Sequence, residues 1–390
     1  MSGDRLPLAL GALPAGAVVG PRAGAAPMRV VHLVGDLTDS VFRLLGPATE
    51  ALRQSGCDQA VLLTDDPLHP ELVGSFHPDI QVVALPRSRN RLRRWQHWLR
   101  AARDMLSRRA DVVHVHGVVP SVLGGALARR TAASRVLYSP HDSRLQQAGT
   151  RWQRAVSAVA RPWVRRVADA AVLSLPSEAR LLGGLRDVPV AVVQARVDPV
   201  YFETPRRPAP HPLIAGGVLD APDANALRFV QMAVLMAHGE NGLAFDWAGA
   251  VSDNTRSMLI GGGIGMTDGL EPAVRAARLA AAWLYLCPAA SHGFPGHLAE
   301  ALAGGVPVVV LDTPAHRDLV RDGVDGFLCT DERDMVLRMT ELLADPQRRE
   351  RMGAAARREA LRRFGGDAAK VAGALLQIYD PAPLPRGIPR

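Results

Sequence analysis

From Met28 onward, short apolar runs alternate with longer segments that carry apolar residues at helical spacing. Runs such as MRVVHLVG, ADVVHVHG and VPVVVLD read as strands that are buried on both faces. Strands of this kind, each followed by a helix, are typical of parallel sheets that helices cover on both sides. The alternation therefore predicts an α/β fold with Rossmann-like sheets, and it includes a predicted strand over SMLIGGGIGM, residues 257–266.

The alternation occurs twice, with a proline-rich stretch in between. A chain of 390 residues exceeds what a single core usually holds. The stretch ETPRRPAPHP has four prolines in ten residues and no periodicity, which indicates a linker. We therefore predict an N-terminal Rossmann-like domain over 28–202, a linker over 203–212 and a C-terminal Rossmann-like domain over 213–365. The two sheets would face a central cleft, because open parallel sheets bind ligands beyond the carboxyl ends of their strands.

Both ends of the chain fall outside this pattern. Residues 1–27 superficially resemble a signal peptide, but Asp4 lies in the basic region and Pro7 and Gly11 interrupt the apolar run. We predict a disordered extension there, with a targeting segment as the alternative. Residues 366–390 are predicted to form a last helix, which crosses back to the N-terminal domain, and a tail. No run approaches the roughly 20 apolar residues that a membrane-spanning helix needs.

The basic charge of the chain comes almost wholly from arginine. The net charge is +8, and Lys370 is the single lysine among 46 basic residues. A basic surface favours partners that carry phosphate, whether nucleotides, nucleic acid or anionic lipid. Cys57, Cys287 and Cys329 are odd in number and lack the paired spacing of a zinc or disulfide motif. A reducing, cytoplasmic compartment is therefore expected.

The charge is concentrated in RSRNRLRRWQHWLRAARDMLSRR, residues 87–109, which holds nine arginines and one aspartate. An apolar stripe at helical spacing runs through it, with Trp98 and Met105 beside it. The stripe is Leu92, Trp95, Leu99, Ala102 and Leu106. A basic amphipathic helix with tryptophans suits an anionic membrane surface, so we expect peripheral contact with the inner face of the plasma membrane. The alternative is that the stripe packs on the sheet while the arginines are solvated. Nucleic acid is not expected as a partner, because no reader motif accompanies the charge.

The stretch SHGFPGHLAEALAGG, Ser291 to Gly305, joins a loop of glycine and proline to a short helix. The helix is predicted near His297 to Ala303, and its first backbone N–H groups can bind an anion in the cleft. Glu300 is expected in the first turn, where a carboxylate is stabilised and can accept hydrogen bonds from a ribose diol. The alternative is a carboxylate that caps and solubilises the helix.

The run PAASHGFPGHLAEALAGGVPVVV, followed by HRDLVRDGVDGFL, resembles the donor-site segment of the family 4 glycosyltransferases, which are retaining enzymes of the GT-B fold. Looser matches at DVVHVHG, YSPHD, ADAAVLSLPSEARLL and VVQARVDPVYF extend the resemblance over nearly the whole chain from Met28. The resemblance implies two Rossmann-like domains facing a cleft. It also implies transfer, without a cofactor, of a sugar from a nucleotide-diphosphate sugar to a glycan or lipid-linked acceptor in cell-surface polysaccharide synthesis.

The resemblance assigns several donor-side residues. Glu300 matches the glutamate that holds the nucleotide ribose, and His292 stands where the family's other glutamate contacts the donor sugar. Gly293 and Phe294 match the family directly. Asp318 matches the acidic residue of a downstream P-E-x-V pattern.

The segment GGVLDAPDANALRF departs from the family in a way that matters for the donor diphosphate. Gly216 and Gly217 are retained, and they would allow close backbone approach to the diphosphate. In the family an arginine and a lysine follow and neutralise the phosphates, but here Val218 and Asp223 stand at about those positions. Either another arginine substitutes or the chemistry is weak or absent. The nearest candidates are Arg228 and Arg196.

The acceptor side has its own candidates. His141 matches a histidine that lies beside the donor sugar and the acceptor, and a neutral imidazole there can hydrogen-bond a sugar hydroxyl. The alternative is a loop histidine without a role. Gly35 and Asp36 match a loop that borders the acceptor site. His114 and His116 share one face of a strand, but a third metal ligand is not evident, so we predict ordinary cleft-lining histidines and no metal.

Two rival functions remain open. One is a catalytically inert glycosyltransferase-like protein that binds a sugar nucleotide or a partner enzyme, since both expected cations and one glutamate are missing. The other is a sugar-nucleotide epimerase of the same architecture, which the donor-site segment matches less well.

Overall fold

The chain folds around two parallel β-sheets, one of seven strands and one of six. The computed structural model describes residues 27–37, 39–64, 71–86, 90–131, 135–141, 162–181, 188–193, 195–217, 222–237, 242–267, 271–288, 294–366 and 368–379. The predicted α/β class with two Rossmann-like domains is confirmed. The predicted N-terminal extension, except Pro27, and the predicted tail after Tyr379 lie outside the described residues.

The first sheet has the strand order β3-β2-β1-β4-β5-β6-β7. Its strands are β1 (Arg29–Asp36), β2 (Asp58–Thr64), β3 (Gln81–Leu85), β4 (Val112–His116), β5 (Arg135–Ser139), β6 (Ala170–Leu173) and β7 (Val190–Val192). The helices of this part include α1 (Asp39–Gln54), α2 (Glu71–Gly74), α3 (Arg91–Met105), α4 (Val118–Arg130), α5 (Glu178–Leu181) and α6 (Pro199–Glu203), and residues 162–167 are also helical. The strand order reverses between β1 and β4, which is where such sheets leave a crevice for ligands.

The second sheet has the order β10-β9-β8-β11-β12-β13, with its reversal between β8 and β11. Its strands are β8 (Leu213–Gly216), β9 (Ala244–Ala248), β10 (Gly265–Thr267), β11 (Leu284–Cys287), β12 (Val308–Leu311) and β13 (Gly326–Cys329). The helices described after the linker are α7 (Pro222–Ala237), α8 (Asp253–Gly261), α9 (Pro272–Ala281), α10 (Gly296–Ala303), α11 (Pro314–Leu319), α12 (Glu332–Ala344), α13 (Pro346–Phe364) and α14 (Ala368–Tyr379).

Successive residues of β1 belong to apolar clusters on opposite faces of the first sheet, as the alternation of side chains along a strand requires. Val31 and Leu33 pack with the buried side chains of α3, whereas Val30 packs with α1 and with the C-terminal helix α14. Every residue of β4 and β5 is buried. The burial of every residue in these strands therefore follows from their coverage on both faces.

The predicted strand over 257–266 is wrong in its first half. Residues Asp253–Gly261 form α8, and β10 is confined to Gly265–Thr267. The hydroxyl of Ser252 accepts a hydrogen bond from the backbone N–H of Thr255 and so starts the helix. Gly263, with φ of +74°, supplies the left-handed turn before the strand.

The apolar face of α3 is rotated relative to the predicted stripe. Trp98 is fully buried between the helix and the sheet, and Ala102 and Met105 continue the buried face, whereas Leu92 is 69% exposed. The indole N–H of Trp98 donates to the carbonyl of Val34 at 2.7 Å. A buried tryptophan needs such a partner, so Trp98 rather than Leu92 sets the orientation of the helix.

The C-terminal helix α14 packs on the first sheet and against α1, although it follows the second sheet in sequence. Leu375, Ile378 and Tyr379 are buried in one cluster with Val30 of β1 and Val112 of β4. The last helix thus completes the core of the first domain. In the part of the chain that the structure describes, no helix combines the length and apolar character required to span a membrane.

Truncation of this contact should destabilise the first domain. Leu375 is 1% exposed, and Leu375→Ala should lower the free energy of unfolding by about 2–5 kcal/mol, because a buried leucine is replaced by a cavity. Urea unfolding is the measurement. Leu361→Ala on α13 is the matched control, since Leu361 is 53% exposed and should change little. Equal losses in the two variants would contradict the docking of α14.

Candidate functional site

The candidate acceptor-side residues lie where the strand order of the first sheet reverses. Gly35 and Asp36 end β1, His116 ends β4, and His141 follows β5. The register pairs His32 with His114 on the adjacent strands β1 and β4. The parallel strands thereby bring four histidines together at one edge of the sheet.

These histidines form a buried chain of ring contacts. His32 Nδ1 lies 3.2 Å from His116 Nε2, and His116 Nδ1 lies 3.0 Å from His141 Nε2. The rings of His116 and His141 stack at 5.2 Å with 10° between their planes. His141 has φ of +26°, a left-handed conformation that is unusual for a residue with a side chain. The hydrogen bond and the stacked ring hold it there.

The histidine chain includes a third potential metal ligand, which the sequence analysis did not find. His32, His114 and His116 each offer a ring nitrogen, and the three atoms lie within 4.8 Å of one another. Yet His114 Nδ1 already lies 2.7 Å from the hydroxyl of Tyr379, and its Nε2 lies 2.9 Å from the hydroxyl of Ser139. A metal ion would break these hydrogen bonds, so the cluster fits a hydrogen-bonded network better.

Burial keeps the four rings neutral. It lowers the pKa of His32 to about 4, partly offset by the Gln59 side chain, and it lowers the pKa of His141 to about 4. The pKa values of His114 and His116 are also lowered well below the usual value, by burial and then by the neighbouring rings. Each ring can therefore donate one hydrogen bond and accept another at neutral pH.

Helix α3 borders the acceptor-side loop, which the sequence analysis did not foresee. Asp36 Oδ1 lies 3.3 Å from Arg94 Nη1, and the Arg94 guanidinium lies over the ring of Trp95. A Cβ on Gly35 would come within 3.2 Å of Pro120. Side chains from α3 and α4 thus border the end of β1.

On the second sheet, the two glycines that end β8 are required by packing. A Cβ on Gly216 would come within 2.3 Å of the Phe229 ring, and one on Gly217 would come within 2.4 Å of the carbonyl oxygen of Ala248. The hydroxyl of Tyr285 donates to the carbonyl of Gly217. The space left by the missing side chains is filled by the protein itself, so contact between these glycines and a diphosphate stays a prediction.

Glu300 is a buried carboxylate rather than a surface one. Helix α10 begins at Gly296, so Glu300 lies in its second turn and not in its first, and it is 2% exposed. Its Oε1 accepts hydrogen bonds from Arg43 of α1 and from Arg275 Nη2 of α9, the latter at 3.1 Å. The alternative role of solubilising the helix is therefore wrong.

The two arginines determine the charge state of this carboxylate. Burial alone would raise the pKa of Glu300, but the charges of Arg43, His297 and Arg275 outweigh burial and lower it to about 2. Arg275 Nε also donates to the hydroxyl of Tyr201 at 3.0 Å. Sequence reasoning missed Arg43, Arg275 and Tyr201, since they lie on three other helices.

Arg43 links the two halves of the site. It belongs to α1, which follows the acceptor-side loop, and it reaches the first residue of α10 in the second domain. A Cβ on Gly296 would come within 2.5 Å of Arg43 Cδ and 2.7 Å of its Nε. Glycine at this position lets the arginine lie against the start of α10.

Comparison with known proteins assigns the family. The model described as "Glycosyl transferase 4-like domain" matches residues 45–196, and the one described as "Glycosyl transferases group 1" matches residues 256–359. Together they cover most of both domains. The chain belongs to the family 4 type of glycosyltransferases. Spore coat protein SA of Bacillus subtilis (strain 168) is 31% identical over 84 residues, which is 21% of this chain and 22% of that protein. The match thus spans about a fifth of that relative.

Solved structures agree on the fold. The sucrose-phosphate synthase of Thermosynechococcus elongatus has a TM-score of 0.72 at 15% identity, over 90% of this chain and 98% of that one. Anabaena HepE, determined in complex with UDP and glucose, has a TM-score of 0.70 at 15% identity, over 90% and 99% of the two chains. Both likenesses confirm the GT-B architecture of this glycosyltransferase.

The remaining donor-side candidates of this glycosyltransferase do not converge on one point. Phe294 is buried and packs edge-on against Phe364 with ring centroids 5.8 Å apart. Asp318 accepts a hydrogen bond at 2.7 Å from the backbone N–H of Ser177, which links α11 to the first domain. His292 and Gly293 lie outside the described residues.

The sequence nominated Arg228 and Arg196 as substitutes for the expected diphosphate cations. Asp223, near the lysine position, accepts hydrogen bonds from the N–H and hydroxyl of Ser252, both at 2.9 Å, and so supports the start of α8. Arg228 is exposed on α7, and Arg196 is half-buried. Val218 lies outside the described residues. Nothing in the described contacts ties Arg228 or Arg196 to α10, so their donor role stays a prediction.

The buried histidines should make stability depend on pH. A lowered folded-state pKa means that the unfolded chain binds more protons between about pH 4 and pH 6.5, so stability is full above this window and falls as pH falls through it. For His32 the difference corresponds to about 3 kcal/mol, at about 1.4 kcal/mol per pH unit.

The variant His32→Asn keeps a polar group near Nδ1 and should flatten the slope of unfolding free energy against pH by about one proton. Denaturant titrations from pH 4.5 to 7.5 measure this slope. His97→Asn, at an exposed position of α3, is the control and should match the unmodified protein. A slope that His32→Asn leaves unchanged would refute a neutral, buried His32.

Proposed function

We propose that this glycosyltransferase moves a sugar, with retention of configuration, from a nucleotide-diphosphate sugar to a glycan or lipid-linked acceptor in cell-surface polysaccharide synthesis. The contact between Arg43 and Glu300 supports this most directly. It brings the helix that follows the acceptor-side loop against the helix that carries the family's ribose-binding glutamate. Candidate donor and acceptor elements thus meet across one cleft, as a transfer between two substrates requires.

The proposed reaction depends on the orientation of the two substrates more than on acid or base groups of the protein. The bond between the anomeric carbon and the phosphate oxygen breaks, and the acceptor oxygen bonds to the same face of that carbon. The acceptor proton passes to the departing phosphate, so the products are the glycosylated acceptor and the nucleoside diphosphate. Neutral His141 would hydrogen-bond a sugar hydroxyl, His292 would contact the donor sugar, and Glu300 would hold the ribose.

An inert, nucleotide-binding protein is the second candidate. Two observations favour it: Asp223 stands near the expected lysine position, and the Glu300 carboxylate is already shared by two arginines. Stabilising the charge of the leaving diphosphate is worth several kcal/mol of the barrier, so losing that stabilisation would slow transfer by orders of magnitude. Turnover separates the two candidates.

The donor assignment can be tested by binding. UDP is the first probe, because HepE was determined with UDP, followed by GDP and ADP. The unmodified protein should bind one of them more tightly than its 2′,3′-dideoxy form. Glu300→Gln should reduce the ratio of these two affinities about tenfold, since the ribose hydroxyls lose a charged acceptor. Titration calorimetry is the measurement.

Glu341→Gln is the control, because Glu341 pairs with Arg348 at the surface and its loss should not affect binding. Failure of the unmodified protein to bind any of the three diphosphates would overturn the proposed function. Binding without hydrolysis or transfer from the matching nucleotide sugars, with membrane extract as acceptor, would favour the inert protein.

We further propose that α3 rests on an anionic membrane surface, which would bring lipid-linked acceptors to the cleft. Its buried face holds Trp98, whereas Arg93, Arg100 and Arg103 are exposed together with Leu92. The two sequence alternatives are therefore compatible on one helix, since the packed face and the basic face are different. The outward face combines positive charge with an exposed apolar side chain, as interfacial helices do.

Vesicle sedimentation tests the membrane proposal. The double variant Arg93→Glu and Arg100→Glu should bind vesicles rich in phosphatidylglycerol at least tenfold more weakly than the unmodified protein. The reason is that each basic residue near the surface contributes about 1 kcal/mol. Arg351→Glu with Arg358→Glu is the matched control, as both arginines are exposed on α13 at the same spacing. Equal losses would indicate a general effect of net charge.

A further inference from the structure

The donor diphosphate of the proposed reaction needs a cation that the second domain does not obviously supply. A nucleoside diphosphate gains negative charge as the sugar departs, and family members meet it with an arginine and a lysine. In this chain Asp223 stands near the expected lysine position and accepts a hydrogen bond from Ser252 at the start of α8. The single lysine, Lys370, lies on α14, which packs on the first domain. Arg228 and Arg196 stay candidates for a substitute cation, and Arg43 is a further one.

Arg43 of α1 lies beside the start of α10. Its side chain is 17% exposed and forms an ion pair with Glu300. A Cβ on Gly296 would come within 2.5 Å of Arg43 Cδ and 2.7 Å of its Nε, so a side chain there would displace the arginine. Pro295, which precedes α10, gives the helix no side-chain cap, and the helix start carries partial positive charge. Arg43 and the start of α10 thus present two positive groups side by side.

Glu300 is paired with two guanidinium groups. The two arginines differ in how firmly they are held. Arg275 is 6% exposed and also bonded to Tyr201, whereas Arg43 comes from the other domain. If Arg43 leaves, Arg275 still neutralises Glu300, so no lone buried charge remains.

We propose that Arg43 is the cation for the donor diphosphate and that it exchanges partners when the donor binds. The ribose hydroxyls take its place on Glu300, and its guanidinium pairs with the diphosphate beside Gly296. This inference rests on the proposed function. Because α1 belongs to the first domain, the exchange would also tie donor binding to closure of the cleft. A guanidinium can pair with two phosphate oxygens at once, which suits this role.

The test compares a ligand that has the diphosphate with one that lacks it. Competition titrations with UDP and uridine, or with the matching pair if GDP or ADP binds best, give an affinity ratio for each variant. Arg43→Gln should lower the ratio at least tenfold while uridine binds equally well or better. Arg43→Lys should recover part of the ratio, since it keeps the charge but not the paired geometry.

Arg53→Gln is the control, since Arg53 lies on the same helix but pairs with Glu50 at the surface, 2.8 Å away. It should keep the ratio of the unmodified protein. Thermal unfolding verifies that each variant is folded. If Arg43→Gln is not folded, the affinity ratio of Arg43→Lys alone is compared with that of the unmodified protein.

The outcomes separate the two proposals. An unchanged ratio in Arg43→Gln, or equal losses of UDP and uridine binding, would overturn the role of Arg43 while leaving the proposed function intact. An unmodified protein that binds no nucleoside diphosphate would overturn both. A lowered ratio that Arg43→Lys partly restores supports the exchange.

Discussion

The buried carboxylate of Glu300 is the group on which the arrangement of the site depends. Glu300 is a buried residue of α10, so the charge of its side chain must be compensated. Two arginines from different domains provide this compensation. Arg275 and Tyr201 hold it from within the second domain, whereas Arg43 reaches it from the first. One partner belongs to the same domain as Glu300, and the other belongs to the first domain. The position of α10 relative to α1 is therefore set by charge as well as by packing.

The first domain has a second polar assembly, and it is organised differently. Here the groups are neutral rings, and burial rather than ion pairing determines their state. Hydrogen bonds with Tyr379 and Ser139 hold His114, and the chain through His116 ends at His141. The neutral rings orient His141 at the edge of the sheet without adding charge. The buried groups around Glu300 are thus charged and ion-paired, whereas the four histidines are neutral and hydrogen-bonded.

Local patterns in the sequence predicted most of the strands and indicated the family. They did not predict the partners of the buried polar groups. The alternation of apolar runs predicted both sheets, because period and composition are local properties. Periodicity placed Leu92 in the buried stripe of α3, but the bond that Trp98 needs for its indole N–H rotates the helix. The pairing of Arg43 with Glu300 spans 257 residues, and His32 joins the other histidines through strand register. Such contacts exist only once the fold has formed.

The docking of α14 bears on how the protein is made. Domains usually fold in order as the chain leaves the ribosome. Here the core of the first domain waits for Leu375 and Tyr379, which are synthesised after the whole second domain. Until then, the faces of β1 and β4 that these residues cover are bare, and His114 lacks its tyrosine partner. Cutting the chain at the linker would therefore not release two complete domains, since the first one carries its final piece at the far end of the polypeptide.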